Sequence, residues 1–247
     1  MVSHIHCGKF NPIKNLLELG KHIVRRLLAD GTPVTILDTV FYEDELESST
    51  EPLSSSALLQ VHIGDIRNIT ALSSVFTPDI SGVIHLAAIS RTEWCIENEK
   101  DCSDINERGT EMVLDALTRI NRYDRGKRWF ILASSLDVYP DRKSHGPPSD
   151  NEGLPSNVLG VTKLAAEELV KKHVMRLSKS TGPIHAAALR LSNVYGSSYD
   201  HSGRLVPSIV AQALSHHVIQ VFNDGQRVSC SFTIIVLFDR LLDSCCS

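Results

Sequence analysis

Short, β-branched apolar runs alternate along the chain with longer amphipathic stretches, a pattern that predicts βα units around a parallel sheet rather than a sandwich or a helical bundle. The predicted strands are 33–37, 60–63, 82–85, 129–133, 184–191 and a weaker 219–222, each bounded by turn or polar residues. Helices are predicted over 20–29, 106–120 and 161–177. In the first of these Ile23, Val24, Leu27 and Leu28 share one face, and Ala29-Asp30-Gly31 supplies a glycine stop. Segments 42–56 and 140–157 are rich in Ser, Pro, Gly and acidic residues, lack periodicity and read as surface loops. The second leads from the end of a buried strand to a helix, and open α/β sheets bind ligands outside the carboxyl ends of their strands. No internal repeat is present.

The chain has 247 residues, 42% hydrophobic and 22% charged, which places it among globular proteins and suggests one large α/β domain or a domain with a fragment of a second. Its formal net charge of −4 argues against nucleic acid as a partner. No apolar run approaches the ~20 residues needed to span a bilayer; the longest near the end is Phe232 to Phe238. The first residues lack a secretory pattern. The six cysteines, at 7, 95, 102, 230, 245 and 246, show neither a Cys-x-x-Cys pair nor zinc-ligand spacing, so a reducing cytoplasm, no metal site and free thiols at Cys245-Cys246 are expected. His216-His217 lacks partners at ligand spacing, and Ala133-Ser-Ser-Leu-Asp137 is not the Gly-x-Ser-x-Gly elbow of a serine hydrolase.

Candidate chemistry gathers at the strand ends. Val34-Thr-Ile-Leu-Asp38 is an apolar strand closing on a carboxylate 18 residues after Gly20, close to the interval that sets an acid on a dinucleotide's ribose, although an acid at a strand end is also an ordinary cap. Gly64-Asp65-Ile66-Arg67 follows the next strand. Then come Val83-Ile-His-Leu-Ala-Ala88, Asn106-x-x-Gly109-Thr110, Leu132-Ala-Ser-Ser135-x-x-Val-Tyr139, Gly160-Val-Thr-Lys163-Leu-Ala-Ala-Glu167 and Leu189-Arg-Leu-Ser-Asn193-Val-Tyr-Gly196. In this order the set resembles the extended short-chain dehydrogenase/reductases, the NAD-dependent epimerase/dehydratase family that includes UDP-glucose 4-epimerase, over roughly Gly20 to Thr233.

The resemblance implies a doubly wound parallel sheet, a Rossmann fold, with residues 1–190 as the NAD-binding domain and 191–247 as a truncated substrate lobe. It implies that Gly20 belongs to the cofactor loop, Asp38 meets the adenosine ribose, Asp65 and Ile66 the adenine, and Leu86, Ala87 and Ala88 the pyrophosphate side. Lys163 would hold the nicotinamide ribose and serve catalysis. Ser135 would be the catalytic serine contacting substrate, and Asn193 would meet a nucleotide-sugar. In this family a tyrosine takes the proton of a sugar hydroxyl while NAD takes the hydride. A homodimer through the two long helices is also implied, although the sheet could consume their apolar faces.

Three departures stand out. The family's Tyr-x-x-x-Lys reads Leu159-Gly-Val-Thr-Lys163, and an alkyl group accepts no proton; a positioned acid/base is worth about 10²–10⁴ in rate. Counting back from Gly20, Lys14 and Leu17 occupy the places of the first two loop glycines, which makes the 6–19 loop atypical. Cys230-Ser231 stands where the family has Arg-Asp. Leu136-Asp137 lacks the first of the dehydratases' two acids, which favours epimerase ancestry. Two readings of different class follow: an NAD-dependent nucleotide-sugar epimerase, or a non-catalytic nucleotide-binding or defective member.

Overall fold

The computed structural model describes residues 2–5, 18–40, 57–123, 128–140, 153–178, 184–195, 205–215, 218 and 231–233. The chain divides into two compact units, one of residues 1–11 and 24–191 and one of residues 12–23 and 192–247. Expectations for the loop over 6–17, most of 42–56 and 140–157, the weak strand 219–222 and His216-His217 fall outside the described residues.

In the first unit β1 (Val2–Ile5), β2 (Val34–Asp38), β3 (Leu59–Ile63), β4 (Gly82–His85), β5 (Arg128–Ser135) and β6 (Ile184–Leu191) form one sheet in the order β3-β2-β1-β4-β5-β6. Every pairing is parallel. This is the order of doubly wound dinucleotide-binding sheets, in which the strand order reverses beside β1. Strands β2 and β4 are buried along their whole length, which is why they read as unbroken apolar runs rather than alternating ones. At the sheet edge β6 is exposed from His185 to Ala188.

The helices are α1 (Glu18–Ala29), whose last residues enter this unit, α2 (Ile69–Val75), α3 (Thr92–Glu97), α4 (Glu99–Ser103), α5 (Thr110–Tyr123) and α6 (Val158–Ser178). A π-helical turn, Asp104–Gly109, joins α4 to α5, so the predicted helix 106–120 is the middle of a longer helical run. The short α2 to α4 escaped the periodicity because none is long enough to show a full apolar stripe. A start signal for α2 was nonetheless in the sequence: Asn68 caps it, its Oδ1 accepting from Thr70 N at 2.8 Å and Ala71 N at 3.3 Å.

The core joins Leu37, Val83, Phe130 and Leu132 of the sheet to Val113, Leu117 and Val170 of the helices. Gly109 is a close-approach position: a Cβ there would overlap Ile66 Cδ1, so the β3–α2 connection packs directly on the π turn. Arg128 is buried at the start of β5, its Nε donating to Ile80 O at 2.9 Å and Nη2 to Pro78 O at 2.8 Å.

The cysteine spacing did not announce the Cys95–Cys102 disulfide. Asn98, with φ −140° and ψ 62°, ends α3 and starts α4, and the resulting bend brings the two Cα atoms within 5.2 Å. In the second unit β7 (Asn193–Tyr195) pairs in parallel with β8 (Ser231–Thr233), and α7 (Leu205–Leu214) exposes Leu205, Ile209, Val210 and Leu214.

Candidate functional site

Strand register brings the motif residues to one rim of the sheet. Ile5 pairs with Leu37 on one side and His85 on the other, and His85 pairs with Leu132. Asp38 and Ala133 to Ser135, the last residues of their strands, and Leu86 to Ile89, which follow β4, therefore lie along the sheet's carboxyl edge, where doubly wound folds bind ligands.

At the end of β4 the chain is held by a buried asparagine. Asn106 Oδ1 accepts from Ile89 N at 2.8 Å and Asn106 Nδ2 donates to Ile89 O at 3.0 Å. The same amide nitrogen lies 3.0 Å from Thr162 Oγ1 and 3.4 Å from Cys102 Sγ. Thr162 passes its own proton to Leu159 O at 3.0 Å, so it acts as acceptor toward Asn106. A side chain on the π turn thus ties the Leu86-Ala87-Ala88 segment to α6. Beside it Thr110 Oγ1 donates to Asn106 O at 2.6 Å and lies 2.9 Å from His85 Nε2, which assigns the imidazole proton to Nε2. Ala87 and Ala88 are buried and small; Leu86 is half-buried.

At the end of β5, Ser135 Oγ donates to Asp137 Oδ2 at 2.6 Å and accepts from Asp137 N at 3.1 Å, closing the short turn Leu136–Val138. Asn157 joins that turn to the start of α6: its Nδ2 donates to Asp137 Oδ1 at 3.2 Å and its Oδ1 accepts from Gly160 N at 2.8 Å. A Cβ on Gly160 would collide with Asp137 O, so glycine is what allows this approach. One turn later Lys163 reaches back to the strand, Nζ donating to Ala133 O at 2.7 Å. Burial pushes its ammonium down to about 8, against the opposing pull of Glu167. Glu167 accepts from Ser134 Oγ at 2.5 Å and from Arg190 Nη2 at 2.8 Å, and Arg190 stacks 4.6 Å over the Tyr139 ring. Leu159 is 3% exposed and packs with Ile89, Cys95, Cys102 and Ile105, flanked by Trp94 and Val158.

At the far side of the rim Asp38 is buried, its Oδ1 accepting from Val40 N at 3.3 Å. Asp65 is gripped by Arg67, whose Nε lies 3.0 Å from Oδ1 and Nη2 2.7 Å from Oδ2. Arg67 Nη1 extends to Asp104 Oδ2 at 2.5 Å, and the guanidinium holds the Asp104 carboxyl below its usual range. Ile66 is fully buried in the core, so it offers a ligand only main-chain groups. In the second unit Gly20 is buried in the first turns of α1, and Asn193 is exposed at the start of β7, paired in register with Ser231.

Sequence reasoning named Asp38, Asp65, Ser135 and Lys163 but not the side chains that set them. Arg67 grips Asp65, Asn157 holds the turn that Ser135 closes, and Asn106 with Thr162 ties the β4 end to α6; of these only Asn157 lay outside the motifs that spacing could flag. Among the described residues no group of three or more His, Cys, Asp or Glu side chains could hold a metal ion.

Fold and rim define a dinucleotide-binding α/β protein of the Rossmann type. Residues 19–228 match the NAD dependent epimerase/dehydratase family, and the chain belongs to it. It is 27% identical over 214 residues to a putative UDP-glucose 4-epimerase of Methanocaldococcus jannaschii, covering 85% of this chain and 64% of that protein. It is also 27% identical to UDP-glucose 4-epimerase of Lacticaseibacillus casei, covering 74% of this chain and 51% of that one. Of these two relatives the chain thus spans between a half and two thirds. Among solved structures, the UDP-glucose 4-epimerase of Thermotoga maritima with UDP-glucose superposes at TM-score 0.74 and 19% identity, covering 96% of this chain and 71% of the other. The dTDP-glucose 4,6-dehydratase of Streptomyces venezuelae, with NAD bound, does so at TM-score 0.74 and 21% identity, covering 95% and 68%. These likenesses bear out the expected fold class.

Proposed function

We propose that this chain binds NAD and a nucleotide-sugar in the manner of a 4-epimerase that works through a transient keto-sugar. The observation that carries this reading is the pairing at the end of β5, where Lys163 is drawn onto Ala133 O two residues before Ser135. The rim residues fit the cofactor. Asp38 would bind the adenosine ribose and repel a 2′-phosphate, favouring NAD over NADP. Asp65 and the Ile66 main chain would take the adenine, the small side chains of Ala87 and Ala88, with Leu86, would admit the pyrophosphate, and Lys163 would hold the nicotinamide ribose; Gly20 would serve the cofactor loop by family resemblance alone. When bound, that cofactor supplies the hydride acceptor. Ser135 would orient the sugar hydroxyl, and Asn193 would contact the nucleotide-sugar. A cytoplasmic homodimer formed through α5 and α6 completes the proposal; no described helix is long and apolar enough to cross a membrane.

A specific observation favours a second reading, a nucleotide-binding member without turnover. Leu159 fills an apolar cluster where the family's proton acceptor belongs. Titration of the purified chain with NAD, followed by melting temperature, tests the shared part: a ligand at a hundred times its dissociation constant stabilises the fold by about 2.7 kcal/mol. No saturable rise in a cooperatively melting sample would refute both readings. UDP-glucose turnover then separates them, and Leu159→Tyr is expected to raise it. Binding with no turnover in either protein would leave the non-catalytic reading standing.

A further inference from the structure

We propose that Cys95 and Cys102 form a thiol–disulfide exchange site for a low-molecular-weight thiol, and that its oxidation state sets how firmly Asn106 holds the end of β4. Three observations carry this. The disulfide joins α3 to α4, helices of 6 and 5 residues whose outer side chains Glu93, Ile96, Glu97, Glu99 and Lys100 are exposed. α4 is the first turn of the long run through α5, but α3 stands alone, and a helix that short opens locally at small cost, which gives a thiolate its route to Cys95, itself fully buried. The sulfurs also lie against the oxygens that Asn106 serves: Cys95 Sγ is 4.0 Å from Ile89 O and Cys102 Sγ is 3.7 Å from Thr162 Oγ1.

The chemistry of the two states differs at those oxygens. A disulfide sulfur has no hydrogen, so in the oxidised protein neither sulfur can donate: Cys102 Sγ, 3.4 Å from Asn106 Nδ2, only accepts, and Ile89 O and Thr162 Oγ1 receive Asn106 Nδ2 with no sulfur donor beside it. A thiol is a weak donor. In the reduced protein each acceptor gains an S–H competitor, and the covalent tie between α3 and α4 is gone. The exchange balances with glutathione: one glutathione thiolate attacks a protein sulfur and forms a mixed disulfide while the other sulfur leaves as a thiolate. A second glutathione thiolate then attacks the glutathione sulfur of that mixed disulfide, forming glutathione disulfide while the first protein sulfur leaves as a thiolate. Two protons complete the pair of protein thiols, which has gained two electrons. Disulfides of cytosolic proteins are characteristically of this reversible kind.

The test uses the wild-type chain equilibrated in glutathione buffers of graded potential, quenched by alkylation and digested with trypsin. Cleavage after Arg91, Lys100 and Arg108 separates residues 92–100 from 101–108, so only the sulfurs link the two peptides. The linked pair is expected at oxidising potentials and two alkylated peptides at reducing ones. Hydrogen exchange read on the same samples is expected to show the Ile89 amide exchanging at least severalfold faster after reduction. Peptides that are never linked, or an Ile89 amide that exchanges equally in both states, would overturn the proposal. Resting on the function proposed above, NAD is expected to bind the reduced chain more weakly, since Ile89 follows Leu86-Ala87-Ala88. Absence of NAD binding in both states would count against that function alone, because linkage and exchange at Ile89 are read without the cofactor.

Discussion

Lys163 carries the most measurable consequence of the site. The residue is 5% exposed, and burial lowers its pKa from 10.5 to about 8. Each pKa unit being worth about 1.4 kcal/mol, the charged form costs the fold about 3 kcal/mol relative to the unfolded chain. The sign follows from proton counting. Between pH 8 and 10.5 the unfolded lysine binds a proton that the folded one has released, so stability rises with pH across that window and is flat below it. Going from pH 7 to 9.5 recovers about 2 kcal/mol, or about 4–8 °C in melting temperature for a chain of this size. Lys163→Met keeps the length of the side chain and removes the titration, at the expense of the bond to Ala133 O, about 1 kcal/mol. Other groups titrate in the same range, so the quantity to follow is the difference between wild type and variant, by thermal melts at half-unit pH steps. The difference is expected to shift in favour of the wild type by about 2 kcal/mol between pH 7 and 9.5. Parallel pH profiles for the two proteins would refute the reasoning, since they would show that Lys163 does not change protonation on unfolding in that range.

Two further outcomes follow from named contacts. Asn106→Ala removes the partner of both main-chain groups of Ile89 and is expected to cost about 3 kcal/mol or more, read as a lower denaturant midpoint at unchanged slope. An Asn106→Ala protein as stable as the wild type would show that the β4 end is held by other means. Gly160→Ala drives a methyl into Asp137 O and is expected to destabilise by about 1–3 kcal/mol, while Val161→Ala, exposed one residue later, stays within about 0.5 kcal/mol.

How far the molecule could be read from its sequence differs from element to element. Strands β2, β4 and β5 were legible because both faces of a central parallel strand are buried, which writes them as short apolar runs. Their ends were not: β5 runs on through Ser134 and Ser135, polar residues kept in the strand by pairing with Arg190 and Leu191. The order of motifs along the chain located the rim. What it could not convey is which side chains hold it. Asn157 acts through a bond to Asp137 from 20 residues away, and Arg67 through one to Asp104 from 37 away, and neither spacing has a local signature. Leu159 was legible as a missing phenol, but that it packs on a disulfide became visible only once the bend at Asn98 closed α3 onto α4.

The π turn at Asp104–Gly109 makes chain length at this point as consequential as residue identity. A π turn holds one residue more than the same span of α-helix, so removing one residue from it restores regular winding with both flanks in phase, whereas inserting a further one rotates everything on one side by about 100°. Cys102 on one side and Val113 on the other both face buried clusters, and a further single-residue insertion would turn one of them away from its partners. Substitutions at the exposed Arg108 are cheap by comparison. A further insertion, like a side chain at Gly109 or the loss of the Asn106 amide, is therefore what this stretch of the gene can least absorb.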